Sequence, residues 1–101
     1  MAFFNEEFMN LRREYFLNSM EKFQYKVSNT WYDGVIKKKA VEGNNVVVDV
    51  HFPIDIDNGS ISGVRVMSVE GIVAGEQTAD IEVSRIKGIL MRFRFPILEV
   101  D

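Results

Sequence analysis

His51 is the single histidine of this 101-residue chain and so the one ordinary side chain that exchanges a proton near neutral pH. Asp49 and Asp55 lie close to it in sequence, a grouping that would suit acid–base chemistry or a metal ligand set. In an extended strand, however, alternate side chains share a face. His51 then stands beside Asp49 and opposite the valines, where a solvated histidine among carboxylates is ordinary. The segment Asp55-Ile56-Asp57-Asn58-Gly59-Ser60-Ile61 resembles the start of a calcium loop, because hard cations gather carboxylates around a glycine turn. With Asp55 as first ligand, Gly59 falls one place early and no bidentate glutamate follows where the loop needs one. A polar turn accounts for the segment, since Asp, Asn and Gly are turn builders.

Lys37-Lys38-Lys39, with Arg85, Lys87, Arg92 and Arg94, offers a basic stripe for phosphate, but alternation turns Lys38 away from its two neighbours. Charge guarding the unpaired backbone of an edge strand explains the run more simply. Trp31 and Tyr32, with Tyr25 nearby, offer aromatic surface for a sugar or peptide, although aromatics in half-buried strands also serve as packing. No glycine-rich phosphate loop, nucleophile elbow or paired-histidine zinc motif is present. The chain contains no cysteine, which removes disulfides, thiolate metal sites and cysteine nucleophiles. The residues therefore nominate no catalytic, cofactor-binding or metal site, and a noncatalytic protein without a cofactor is expected.

Charge narrows the partners. The formal net charge is −3, with four basic and four acidic groups in residues 1–30 against eight basic and eleven acidic in residues 31–101. Nucleic-acid binding through phosphates usually needs a basic surplus, so no nucleic-acid partner is expected. Apolar runs are only a few residues long and the N-terminal stretch lacks a basic n-region. No membrane partner is expected, and the location is expected to be cytoplasmic, or virion-associated within an assembly.

The elements that would position these residues form one α+β, mainly β, domain over residues 1–101. Residues 1–20 read as an amphipathic helix: Asn5 suits the N-cap, Glu6 and Glu7 the positive end of the helix dipole, and Phe4 a staple with Phe8 or Met9. Phe8, Leu11 and Tyr15 recur at helical spacing, with Phe16, Met20 and Phe23 on an adjoining stripe, while Arg12, Arg13, Asn18 and Glu21 point elsewhere. From Lys22 the period becomes two, and Lys22–Val27, Trp31–Ala40, Val46–Ile56, Val64–Val69, Ile72–Gly75, Ala79–Val83 and Ile89–Ile97 read as strands, with a tight hairpin at Glu70-Gly71. Pro53 places the far half of the third strand at an edge or past a bulge. Residues 21–101 thus predict an antiparallel β-sandwich or small barrel of five to seven strands, with the helix either packed across an open end or projecting.

The stretch Ile61-Ser62-Gly63-Val64-Arg65-Val66-Met67-Ser68-Val69-Glu70-Gly71-Ile72-Val73-Ala74-Gly75-Glu76-Gln77, followed by the strand Ile89 to Glu99, resembles small proteins encoded among tail and baseplate genes of phages and prophages of Gram-positive bacteria. Those proteins share a short N-terminal helical segment, a hairpin of strand, acidic residue, glycine and strand, and a last strand rich in phenylalanine. The resemblance implies a structural role in which the chain self-assembles or docks on a larger particle. The residues agree in one respect: Phe4, Phe8, Leu11, Tyr15, Phe16 and Met20 give the helix more apolar surface than one β-layer needs, so a homo-oligomer or other protein assembly would cover the remainder. The alternative is a ligand-binding β-module holding a glycan or peptide at Trp31 and Tyr32, and behind it a small hydrolase or metal enzyme around His51 and Asp49.

Overall fold

The computed structural model describes residues 3–54, 59–83 and 88–98. A helix α1 (Glu6–Ser19) leads directly into seven strands: β1 (Met20–Val27), β2 (Thr30–Asp33), β3 (Val35–Glu42), β4 (Asn45–Phe52), β5 (Gly59–Ser68), β6 (Val73–Val83) and β7 (Ile89–Pro96). They form two antiparallel sheets, one of order β2-β1-β5-β6 and one of order β3-β4-β7. The fold is a mainly β, α+β sandwich, as the alternating pattern predicts.

Local chemistry sets the turns. Ser28 and Asn29 both have positive φ, 49° and 64°, the twist that a two-residue hairpin between right-twisted strands requires. Gly43 (φ 61°) makes the turn from β3 to β4. Asn5 occupies the N-cap with extended backbone but makes no side-chain capping hydrogen bond; the start of the helix is instead held by the stacked rings of Phe4 and Phe8, 5.2 Å apart.

Three expected elements are rearranged. The Trp31–Ala40 stretch is two strands in different sheets, because the chain crosses from one layer to the other at Gly34, whose amide donates to the Phe23 carbonyl at 2.8 Å. A Cβ at that position would lie 2.7 Å from Val50 Cγ1 and from Phe52 Cδ1, so the crossing uses space that only glycine leaves. The expected separate strands Ile72–Gly75 and Ala79–Val83 are one continuous β6, and the hairpin before it is wider than two residues: Ser68 donates to the Ile72 carbonyl across residues 69–71, with Gly71 at φ 84°. The polar turn expected over Asp55–Ile61 is corrected at its far end: Gly59, Ser60 and Ile61 open β5, and Ile61 is fully buried in the core. Residues 55–58, Ile56 among them, residues 84–87 and the Glu99 end of the last strand lie outside the described residues.

The core lies between the sheets. Val46, Val48, Val50 and Phe52 from β4 meet Phe23, Tyr25 and Val27 from β1 and Ile61 and Val64 from β5. Opposite β4 residues in register, Phe95, Phe93, Met91 and Ile89 of β7 point the same way, so the valine-rich and phenylalanine-rich stretches share one interior. Val47 is also fully buried although it faces outward; its cross-strand neighbours are Ala40 and Arg94, and the ion pairs Lys38–Glu42 and Arg92–Asp49 lie around it. The molecule is elongated, 51 × 24 × 23 Å with a radius of gyration of 15.6 Å, against about 13 Å for a compact domain of this length.

Candidate functional site

The helix is anchored by an arginine. Arg13, only 2% exposed, donates through Nε to the Ile97 carbonyl (3.2 Å), through Nη2 to Asn44 Oδ1 (2.9 Å), and through Nη1 to Glu6 Oε1 and Asn10 Oδ1 (both 2.8 Å). Each of the three guanidinium nitrogens meets an acceptor, as a nearly buried cation requires. This clip ties α1 to the β3–β4 turn and to the segment after β7, so the helix packs across one end of the sandwich. The expectation that Arg13 points away from the packed face is therefore reversed: the aliphatic neighbours Leu17 and Met20 join the core on the same side, and Phe16 meets Phe95 edge-on at 5.9 Å.

At about 100° per residue, Phe8, Leu11 and Tyr15 fall on the side of the helix opposite Arg13, and Phe4, ahead of the helix, continues the row by stacking on Phe8. They remain open to solvent, Leu11 at 52% and Tyr15 at 72%. Arg12 lies over the Phe8 and Tyr15 rings at 5.2 and 5.8 Å and shields part of this row. Of the six apolar residues nominated as interaction surface, Phe4, Phe8, Leu11 and Tyr15 line one outward row; Phe16 sits at its border with the sandwich, and Met20 is in the core.

A second feature lies in the sheets. On one long side the layers are stitched together, where β2 passes into β3 at Gly34. On the other side β6 and β7 are both edge strands, each hydrogen-bonded to one neighbouring strand among the described residues. Their inward residues are incompletely covered: Ala79 and Ile81 of β6 and Ile89, Met91, Phe93 and Phe95 of β7 are half-buried. Between them opens an apolar cleft of about 200 Å³ with Phe23 and Val66 at its floor and Phe93 and Phe95 along one wall. The outward residues of the two strands differ in sign. β6 carries Glu76, Asp80 and Glu82 and no cation; β7 carries Arg92 and Arg94 and no anion.

The residues that suggested chemistry are placed apart. His51 is on the outer face of β4, flanked by Val35 and Leu90 in register, with Gly88 pressed against its ring. Asp49, on the same face, is engaged by Arg92 through two hydrogen bonds of 2.7 and 3.0 Å. Those bonds to Arg92 hold the Asp49 carboxyl below the ordinary aspartate range and raise Arg92 in turn, and the bond from Lys38 does the same to Glu42. Among the described residues no three His, Cys, Asp or Glu side chains gather to hold a metal ion.

Trp31 and Tyr32 point to opposite faces of β2. Trp31 lies over Gly63, 3.2 Å from where a Cβ would stand, with the Arg65 guanidinium 4.2 Å from its ring and Lys26 at 5.8 Å. Arg65 is fixed there by Gln24, which donates in turn to Asp33. Tyr32 stacks on Tyr25 at 5.6 Å, and burial, with Tyr32 beside it, raises the Tyr25 hydroxyl above the usual tyrosine range. The two nominated aromatics do not line a common pocket.

Arg13 and the paired free edges escaped the reading of the residues. The clip had one legible trace, an arginine at helical spacing from Leu17 and Met9. The charge contrast between residues 73–83 and 89–96 was open to view, but its meaning depends on topology. The chain matches no protein-family model, and no curated protein or solved structure resembles it significantly. Among the described residues no helix is long and apolar enough to cross a membrane.

Proposed function

We propose that this chain is a noncatalytic interaction module that assembles with copies of itself. The observation that carries the reading is the helix: one face is fastened to the sandwich by Arg13, Leu17 and Met20, and the opposite face presents Phe8, Leu11 and Tyr15 to solvent. A surface helix normally exposes polar residues on the side away from the core, and contiguous exposed apolar rows mark association surfaces. The elongated shape and the half-covered β7 supply more apolar surface of the same kind. In a phage or prophage tail, the setting that the resemblance implies, such a module would be one repeated component of a larger particle; the identity of the neighbouring genes tests that part.

The helix reading is tested with Leu11→Asp/Tyr15→Asp. Both side chains are exposed, so the variant keeps the fold by circular dichroism. It should shift light-scattering mass toward the single 11.6 kDa chain at concentrations where the parent is larger. A parent that scatters as one chain at every concentration refutes the reading.

A further inference from the structure

We infer that the exposed row of α1 pairs with the same row of a second copy, the two helices running parallel about a two-fold axis. The inference rests on the proposed self-assembly and adds the orientation of the partner.

Phe8, Leu11, Tyr15 and Asn18 follow one another at spacings of three, four and three residues. That alternation is the seam of a coiled coil, in which each side chain inserts between residues of a facing helix. The seam is open: Phe8 is 44% exposed, Leu11 52% and Tyr15 72%, and Asn18 is exposed as well. Arg13, about 170° round the helix from the row, fastens the sandwich on the far side, which leaves the row facing away from the rest of its own chain.

The flanks of the seam select the partner. At about 100° per residue, Arg12 lies about 70° to one side of the row, and Glu7 and Glu14 lie about 70–90° to the other. All three are exposed, and Arg12 leans over the seam rings of Phe8 and Tyr15. A two-fold axis parallel to the helix sets the basic flank of each copy against the acidic flank of the other. Glu7 then stands beside the partner's Arg12, and Arg12 beside the partner's Glu7. Charges at these flanking positions set partner choice and orientation in coiled coils. An antiparallel pair would meet like flank to like flank, with Glu7 and Glu14 against the partner's Glu14 and Glu7, and like charges side by side oppose that arrangement.

A lipid surface is a poorer match. The flanks carry two carboxylates and one arginine, whereas helices that lie on membranes are rich in lysine and arginine on the polar face. The seam spans about 15 Å from Phe8 to Asn18, a small interface that makes a weak, reversible dimer.

Charge reversals read the orientation. In the parallel dimer Glu7→Lys brings cations together on both flanks, and Arg12→Glu brings carboxylates together. Each should weaken dimerisation roughly tenfold in sedimentation equilibrium. An equimolar mixture of the two should regain the parental affinity as a heterodimer, seen by native mass spectrometry, since opposite charges then face each other on both flanks. Such recovery requires both chains to be folded. In an antiparallel dimer Glu7→Lys would instead relieve repulsion and tighten association. Asn18→Cys gives a second readout in a chain that has no cysteine of its own. Parallel helices bring the two substituted positions together across the seam, whereas antiparallel helices hold them about 25 Å apart along the axis, so mild oxidation should link the dimer through a disulfide.

A Glu7→Lys dimer as tight as the parent or tighter, a mixture as weak as its components with both chains folded, or an Asn18→Cys dimer that forms without cross-linking would each overturn the parallel pairing and leave self-assembly standing. A parent that stays monomeric at every concentration removes both.

Discussion

Replacing Arg13 by methionine tests the attachment on which the helix reading depends. Met keeps most of the aliphatic stem, so packing beside Leu17 is largely retained and the change isolates the guanidinium. Four hydrogen bonds disappear, but they are not equivalent. Glu6 is 72% exposed as a side chain and regains water, so that pair contributes only about 0–1 kcal/mol, and Asn10 lies on the same helix. The bonds to the Ile97 carbonyl and Asn44 Oδ1 join the helix to the sheet, and each charge-assisted bond contributes about 1.5–3 kcal/mol. Allowing for partial rehydration of those two acceptors, the loss is about 2–4 kcal/mol. A domain of this size has only about 5–15 kcal/mol in total, and each kcal/mol moves its midpoint by about 4–8 °C, so Tm should fall by roughly 8–32 °C. Urea unfolding followed by the single tryptophan, Trp31, and by far-ultraviolet circular dichroism gives the number, with Glu6→Gln as the control. A loss under about 0.5 kcal/mol, or a Glu6→Gln effect as large as that of Arg13→Met, would refute the assignment of Arg13 as the link between helix and sheet.

Other perturbations have defined outcomes. Gly34→Ala forces a methyl to within 2.7 Å of Val50 and Phe52 and should cost about 1–3 kcal/mol by overpacking, read as a lower urea midpoint; an unchanged midpoint would show that the crossing has room to spare. Asp49 and Glu42 titrate below their ordinary values of 3.8 and 4.5. Their contribution is thus fully present above those values and is lost as pH falls through the lower folded ones. Stability should be level from neutral pH to about pH 5 and decline below about pH 4, with Arg92→Gln reducing the acid slope; an equal slope in both proteins contradicts the ion-pair account. Tyr25 is shifted upward, so its contribution is present below pH 10 and is lost as pH rises through the higher folded value. Arg65→Ala uncovers one face of Trp31 and should red-shift its emission and increase acrylamide quenching; unchanged quenching would mean that Arg65 does not cover the ring.

Much of the sandwich is legible in the residues, and the misses have physical causes. β4 and β7 alternate apolar and polar residues because each buries one face against the other sheet, so their period survives to the sequence. Val47 breaks that logic: it points outward and is buried all the same, in a field of charged neighbours that no local pattern reveals. β6 reads as two pieces because Glu76, Gln77 and Thr78 interrupt the apolar run, and they are tolerated there since an edge strand over an open cleft has little core to fill. Trp31–Ala40 reads as one strand because changing layers at Gly34 requires no change of period. Arg13 is assigned outward by any hydrophobic pattern, since its acceptors, Asn44 and Ile97, lie 31 and 84 residues away. The exposed row Phe4, Phe8, Leu11 and Tyr15 was visible as surplus apolar surface. Which of the two apolar stripes would stay outside was set by the arginine clip.

Sedimentation equilibrium of the unmodified chain across a wide concentration range bears on self-assembly with no variant and no assumed partner. The mass should climb from 11.6 kDa toward twice that value or beyond as concentration increases. A single species of 11.6 kDa across the whole range would contradict it.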